Sequence, residues 1–222
     1  MKSFTFHKKT LNRHKNSGFT LVELMVAIAI IGIMAAIAVP GILSALPGIR
    51  LSAAARDLYG VMMKAKGEAA KRNTNCTVVF NQVIGPPTFP ANTTCAYVLF
   101  VDNNPAAGRN SDYDPGEEII SYLIQTPQGV PSAWSTDVSL DFAQGGGIGN
   151  FLPVNDDGNP SISFKPNSIP TGNGGGLANG TVFLISTAFI GTPILDRDAH
   201  QKSIVINQSG NVRIKLGVRI GD

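Results

Sequence analysis

From Leu24 to Ile49 the chain carries no charged side chain, and 26 consecutive uncharged, mostly apolar residues leave few ways to fold. As a helix at ~1.5 Å per residue the run measures about 39 Å, against a bilayer hydrocarbon core of about 30 Å. It is long enough to span a membrane. Lys2, Lys8, Lys9, Arg13 and Lys15 precede it with no acid among them, whereas acids and polar loops follow Arg50. By the positive-inside rule the leader stays cytoplasmic and the bulk of the chain is exported. Those five cations exceed the overall formal charge of +3, so the rest of the chain is at net −2 and its balance is no nucleic-acid footprint. At 222 residues there is room for one ordinary domain and an accessory segment, which excludes most multidomain enzymes.

Three readings of the amino terminus compete. One is a cleavable secretory signal, with a basic start, an apolar stretch and Ala36-Ile37-Ala38 ahead of Pro40. Another is an uncleaved single-pass anchor. Glu23 weighs against both, because an ionised carboxylate in lipid costs about 2.5–3.5 kcal/mol even on lenient insertion scales and requires a partner. The third reading supplies one. Ser17-Gly18-Phe19-Thr20-Leu21-Val22-Glu23-Leu24, behind a basic leader, resembles the class III signal of type IV pilins and type II secretion pseudopilins. The resemblance implies that a prepilin peptidase cuts after Gly18 and N-methylates Phe19, leaving a mature chain of 204 residues. It also implies an ion pair between the new α-amine of Phe19 and Glu23 of a neighbouring subunit. Such a pair is strong in low dielectric when desolvation is managed, and it makes Glu23 an assembly register.

Pro40-Gly41 and Pro47-Gly48 predict a kink or local unwinding of the helix. Beyond them Leu51, Ala55, Leu58, Met62, Ala65 and Ala69 recur on one helical face, with most charges elsewhere, so this half is amphipathic and packs on a head. Glu68 stands four residues before Arg72, and Asn73 with Asn75 marks the stop. From Cys76 onward short apolar or alternating runs predict strands: CTVVFNQVI, CAYVLFV, EIISYLI, VSLDF, SISF, TVFLIS, SIVINQ and NVRIKL. Gln208-Ser209-Gly210-Asn211 predicts a hairpin between the last two, and antiparallel meanders are expected because no helical runs intervene. The Gly-rich stretches at 145–149 and 172–176 read as connections.

Several constellations invite chemistry. Cys76 and Cys95 fall in the exported part, where a disulfide is permitted and would contribute about 3 kcal/mol. A simple hairpin of strands 76–84 and 95–101, however, starts them at opposite ends. Asp102, Asn103, Asn104, Asp112, Asp114, Glu117 and Glu118 offer oxygen ligands to calcium, yet their spacing is not that of the twelve-residue helix-loop-helix site, and a solvated turn is the simpler expectation. Asn92, Asn179 and Asn207 begin N-x-S/T triplets, to which no modification is assigned. His200 with Asp196, Asp198 and Ser203 lacks a nucleophile elbow, and no phosphate loop, closed zinc site or cofactor is implied. Arg213, Lys215 and Arg219 end the chain with a basic strand and tail, either a soluble charged face or a weak phosphate-binding one.

Leader, long kinked helix and β-rich head together resemble the pilin-like architecture. That implies an α+β fold with residues 1–18 as leader, 19–72 as helix (about 19–45 membrane-spanning) and 73–222 as periplasmic head. Within the head GVMMKAKGEAAKRNTNCTVVF, FVDNNPAAGRNSDYDPGEEII and INQSGNVRIK resemble the GspH/FimT family of minor pilins and pseudopilins, leaving 125–180 unmatched. The resemblance implies a structural, non-enzymatic subunit whose partners are other pilins, the prepilin peptidase and the inner membrane. Some pilus-associated relatives resemble DNA receptors through a Gly-Arg-x-Arg motif where this sequence has Gly210-Asn211-Val212-Arg213, so the secretion branch is expected over DNA uptake. An exported soluble domain with an ordinary signal is the remaining alternative, with a mature terminus near Val39.

Overall fold

The computed structural model describes residues 19–85, 90, 93–103, 111–125, 138–141, 152–153, 155–172, 176–186 and 201–216. Helix α1 runs from Leu21 to Arg72. Thr20 starts it as an N-cap: its Oγ1 accepts from the backbone N–H of Glu23 at 3.2 Å, and its carbonyl accepts from the N–H of Leu24 at 3.2 Å. Glu23 in the first turn and Lys71 and Arg72 in the last complement the helix dipole. Asn73, at φ 52°, ends the helix in the left-handed region, and the Thr74 N–H reaches back to the Ala69 carbonyl at 3.3 Å.

Local unwinding at Pro40 and Pro47 is not seen, because the helix continues through both. Each proline withholds one backbone donor from the helix. On either side of Pro47, Ser44 Oγ donates to the Gly41 carbonyl at 2.9 Å and Ser52 Oγ to the Gly48 carbonyl at 2.7 Å.

The chain divides into two compact units, Met1–Ser44 and Ala45–Asp222. The described part of the first is Phe19, Thr20 and the start of α1, exposed throughout. The second holds the rest of α1 and two antiparallel sheets. Strands β1 (Asn75–Ile84), β2 (Thr93–Asp102), β3 (Ile119–Ile124), β5 (Ser161–Phe164) and β6 (Pro170–Thr171) form one sheet in the order β3-β2-β1-β5-β6. Strands β4 (Val138–Asp141), β7 (Gly180–Ser186), β8 (Gln201–Ile206) and β9 (Val212–Leu216) form the other, in the order β4-β7-β8-β9.

The stripe Leu51, Ala54, Ala55, Leu58, Met62, Ala65 and Ala69 shares one buried core with both sheets, including Val78, Phe80, Leu99, Ile162 and Phe164 from the first and Val182, Leu184, Ile204 and Ile206 from the second. Burial of this apolar area is what holds the helix to the head. The far face of the first sheet has its own smaller core of Val79, Ile84, Cys95, Val98 and Phe100. Tyr113 covers it, edge-on to Phe100 with ring centroids 5.5 Å apart. Segment 125–180 is no appendage: β4 lies in one sheet, and β5 and β6 in the other. The Gly-rich run 145–149 lies outside the described residues.

Candidate functional site

Phe19 is exposed by 84%, and the helix behind it presents Leu21, Val22, Ile28, Ile31, Ile37 and Ile42 without cover from the rest of the chain. No residue of its most apolar window is buried, and the helix has the length and composition to cross a membrane. Glu23 sits in the first turn, exposed, with its backbone N–H held by Thr20. The resemblance gives Thr20 no role of its own, although Thr20-Leu21-Val22-Glu23 has the capping-box spacing that signals a helix start. Gly18 lies outside the described residues.

The disulfide between Cys76 and Cys95 is not formed; both thiols are free and buried. Cys76 lies opposite Val101 and Cys95 opposite Gln82, so the two sit at opposite ends of the β1–β2 ladder. They also belong to different cores on opposite faces of the sheet. No rotamer change brings them to bonding distance. Burial pushes each thiol up to about 11, which keeps it protonated and unreactive.

The described part of the acidic loop is partly buried: Asp102, Asp112 and Glu117 are buried, while Asn103 and Glu118 are exposed. Asp102, Glu117 and Glu118 each hold hydrogen bonds within the fold or its turn. Asp102 Oδ2 accepts from Thr77 Oγ1 at 3.3 Å. Glu117 accepts from two backbone amides, Asn103 at 3.1 Å and Asp114 at 3.0 Å, which fastens the loop across its base. Glu118 takes a two-pronged contact from Arg72, at 2.6 and 2.8 Å, which with Glu68 ties the end of α1 to the start of β3. The Arg72 guanidinium holds both of these glutamates below the usual carboxylate range. Burial, with Asp157 and Asp156 close by, raises Asp112 instead, while the backbone amides of those two residues pull the other way. Among the described residues no three His, Cys, Asp or Glu side chains are placed to hold a metal ion. Asn104 and His200 lie outside the described residues.

Arg213 and Lys215 stand on β9, an edge strand, opposite Val205 and Ser203. Alternation puts both on one face, and both are exposed. Charges on an edge strand also discourage pairing with foreign strands. Arg219 lies outside the described residues. The glycine before them serves the turn itself. Gly210 is at φ +76°, and a Cβ there would collide with the Ser168 carbonyl. Lys66 Nζ hydrogen-bonds the Gly210 carbonyl as well.

Two family models match the chain. Residues 13–39 match the prokaryotic N-terminal methylation motif, and residues 54–210 match the family described as type II transport protein GspH. The second match includes the 125–180 segment that the sequence motifs alone leave unassigned. No curated protein and no solved structure matches the chain. A methylation motif at the head of an exposed apolar helix, and a family match across that helix's amphipathic half and both sheets, make this chain a member of the pilin-like GspH family.

Proposed function

We propose that the chain is a minor pseudopilin, a structural subunit of the type II secretion pseudopilus. A prepilin peptidase cuts it between Gly18 and Phe19, and the helix holds it in the inner membrane with the head in the periplasm. It then joins other pseudopilins through its amino-terminal helix. One observation carries the reading: Glu23 is fixed in the first turn of an uncovered apolar helix, four residues after the terminus that cleavage would create. In lipid or among packed helices that carboxylate needs a cation, and a neighbour's Phe19 amine supplies it.

The Glu23→Ala variant is expected to be processed and membrane-bound but left out of filaments, as read by fractionation and by blotting of sheared fibres. Normal incorporation would overturn the register. Mass spectrometry of the mature terminus separates this reading from an ordinary secretory signal: N-methylated Phe19 supports it, and a terminus near Val39 rejects it.

A second reading, a minor type IV pilin engaged in pilus assembly or DNA uptake, is favoured by the exposed pair Arg213 and Lys215. Gel shifts with duplex DNA test it, using the full chain in detergent because α1 supplies part of the head's core. Salt-sensitive binding lost in Arg213→Ala supports uptake.

A further inference from the structure

Cys76 and Cys95 lie on two interior strands of the first sheet: β1 also carries β5, and β2 also carries β3. In the β1–β2 ladder Cys76 stands opposite Val101 and Gln82 opposite Cys95. The two cysteine rungs, at residues 76 and 82 of β1, are about 20 Å apart along the strand. A disulfide needs its Cα atoms within about 7 Å. Closing one therefore requires β2 to slide along β1 until Cys95 stands opposite Cys76. Tyr97 to Asp102 would then extend past Asn75, where β1 begins, and lose the strand they pair with.

Those residues carry both cores. Leu99 and Val101 belong to the one shared with the α1 stripe, and Val98 and Phe100 to the smaller one on the far face. The bridge and the folded head are thus mutually exclusive. The second sheet holds neither cysteine, and its ties to α1, Lys202 Nζ to Ser52 Oγ and Lys66 Nζ to the Gly210 carbonyl, do not pass through the ladder. In the unfolded chain nothing keeps the thiols apart: Cys95 follows Cys76 by 19 residues, and a loop of that size closes in about a microsecond or less.

We propose that this thiol pair is a redox gate on folding, in which closure of the β1–β2 ladder and oxidation of Cys76 with Cys95 each shut out the other. The inference rests on the reading of the head as periplasmic, where dithiol oxidants act. The oxidant is a disulfide-bearing protein or small molecule. One cysteine thiolate attacks its disulfide to give a mixed disulfide, and the second thiolate displaces the oxidant. The two thiols lose two protons and two electrons, and the oxidant's disulfide becomes two thiols. A chain whose ladder closes first buries both thiols, where burial keeps them protonated, and is sealed against this reaction. A chain oxidised first has no first sheet for the helix to pack on until a reducing dithiol reopens the bridge.

The test refolds the full-length protein in detergent from denaturant, either reduced or already oxidised with glutathione disulfide, and reads hydrogen exchange over 75–84 and 93–102. The reduced chain is expected to regain protection. The same oxidant should then form the bridge about a thousandfold or more slowly than in the unfolded chain, the open fraction of a stable domain being about 10⁻³ or less. The bridged chain, identified by a mass two hydrogens lighter, is expected to stay unprotected until dithiothreitol is added. The double variant Cys76→Ala, Cys95→Ala should refold alike with and without oxidant; recovery of the parent on reduction serves the same purpose if that variant is unstable. Protection regained with the bridge intact, or bridging of the folded chain at the unfolded rate, overturns the gate. In cells the core variant Leu58→Ala, whose head opens more often, is expected to accumulate the bridge while the parent stays reduced. A variant that stays reduced in cells yet obeys the exclusion in vitro overturns the periplasmic placement instead.

Discussion

Asp112 shows how a single side chain departs from what its neighbours in sequence suggest. Its carboxyl is buried and faces Asp156 and Asp157, so its protonated form is favoured in the folded state. A folded-state value raised above the unfolded one means that the native chain binds more protons just above the ordinary aspartate range. Its contribution to stability is therefore present at low pH and falls as pH rises through the raised value. Asp112→Asn, which keeps an acceptor and removes the charge, is expected to gain stability relative to the parent as pH rises from about 4 to 7. Thermal melts of the detergent-solubilised protein across that range check it, and a constant offset between the two proteins would refute it. The sequence could not reveal this role, because the partners of Asp112 come from the turn at 155–158. The free cysteines were half legible: the hairpin reading places them at opposite ends of the ladder, but spacing does not say which face of the sheet each thiol occupies.

At the scale of elements much more was legible. Most strands lie within a residue or two of the alternating runs that announce them, because alternation is the geometry of a half-buried strand. The exception is β6, two residues at Pro170–Thr171, too short to carry a period. Glycines separate by what each one does. Gly210 holds a left-handed turn against Ser168, so Gly210→Ala is expected to destabilise by about 1 kcal/mol or more. Gly60, inside α1 with nothing within 4 Å of an added Cβ, is the control; Gly60→Ala is expected to stabilise by about 0.5–1 kcal/mol. Chemical denaturation of both variants checks the opposite signs. The prolines do not unwind the helix, because a long helix absorbs the loss of one donor at each, where a short one ends.

Across the whole molecule, the class of fold followed from the leader, the apolar run and the strand-rich remainder, whereas the division into two sheets did not. No local pattern records that the chain passes from β3 to the second sheet, back to β5 and β6, and across again. What joins the sheets is the helix stripe, and Leu58 sits fully buried in the core they share. Leu58→Ala is expected to cost about 2–5 kcal/mol in chemical denaturation of the full chain, far more than the same change at exposed Leu43. The two lysine ties flanking that core have a mechanical consequence. A pull directed along this stretch of helix loads the Lys202–Ser52 and Lys66–Gly210 hydrogen bonds together, in shear, rather than one after the other.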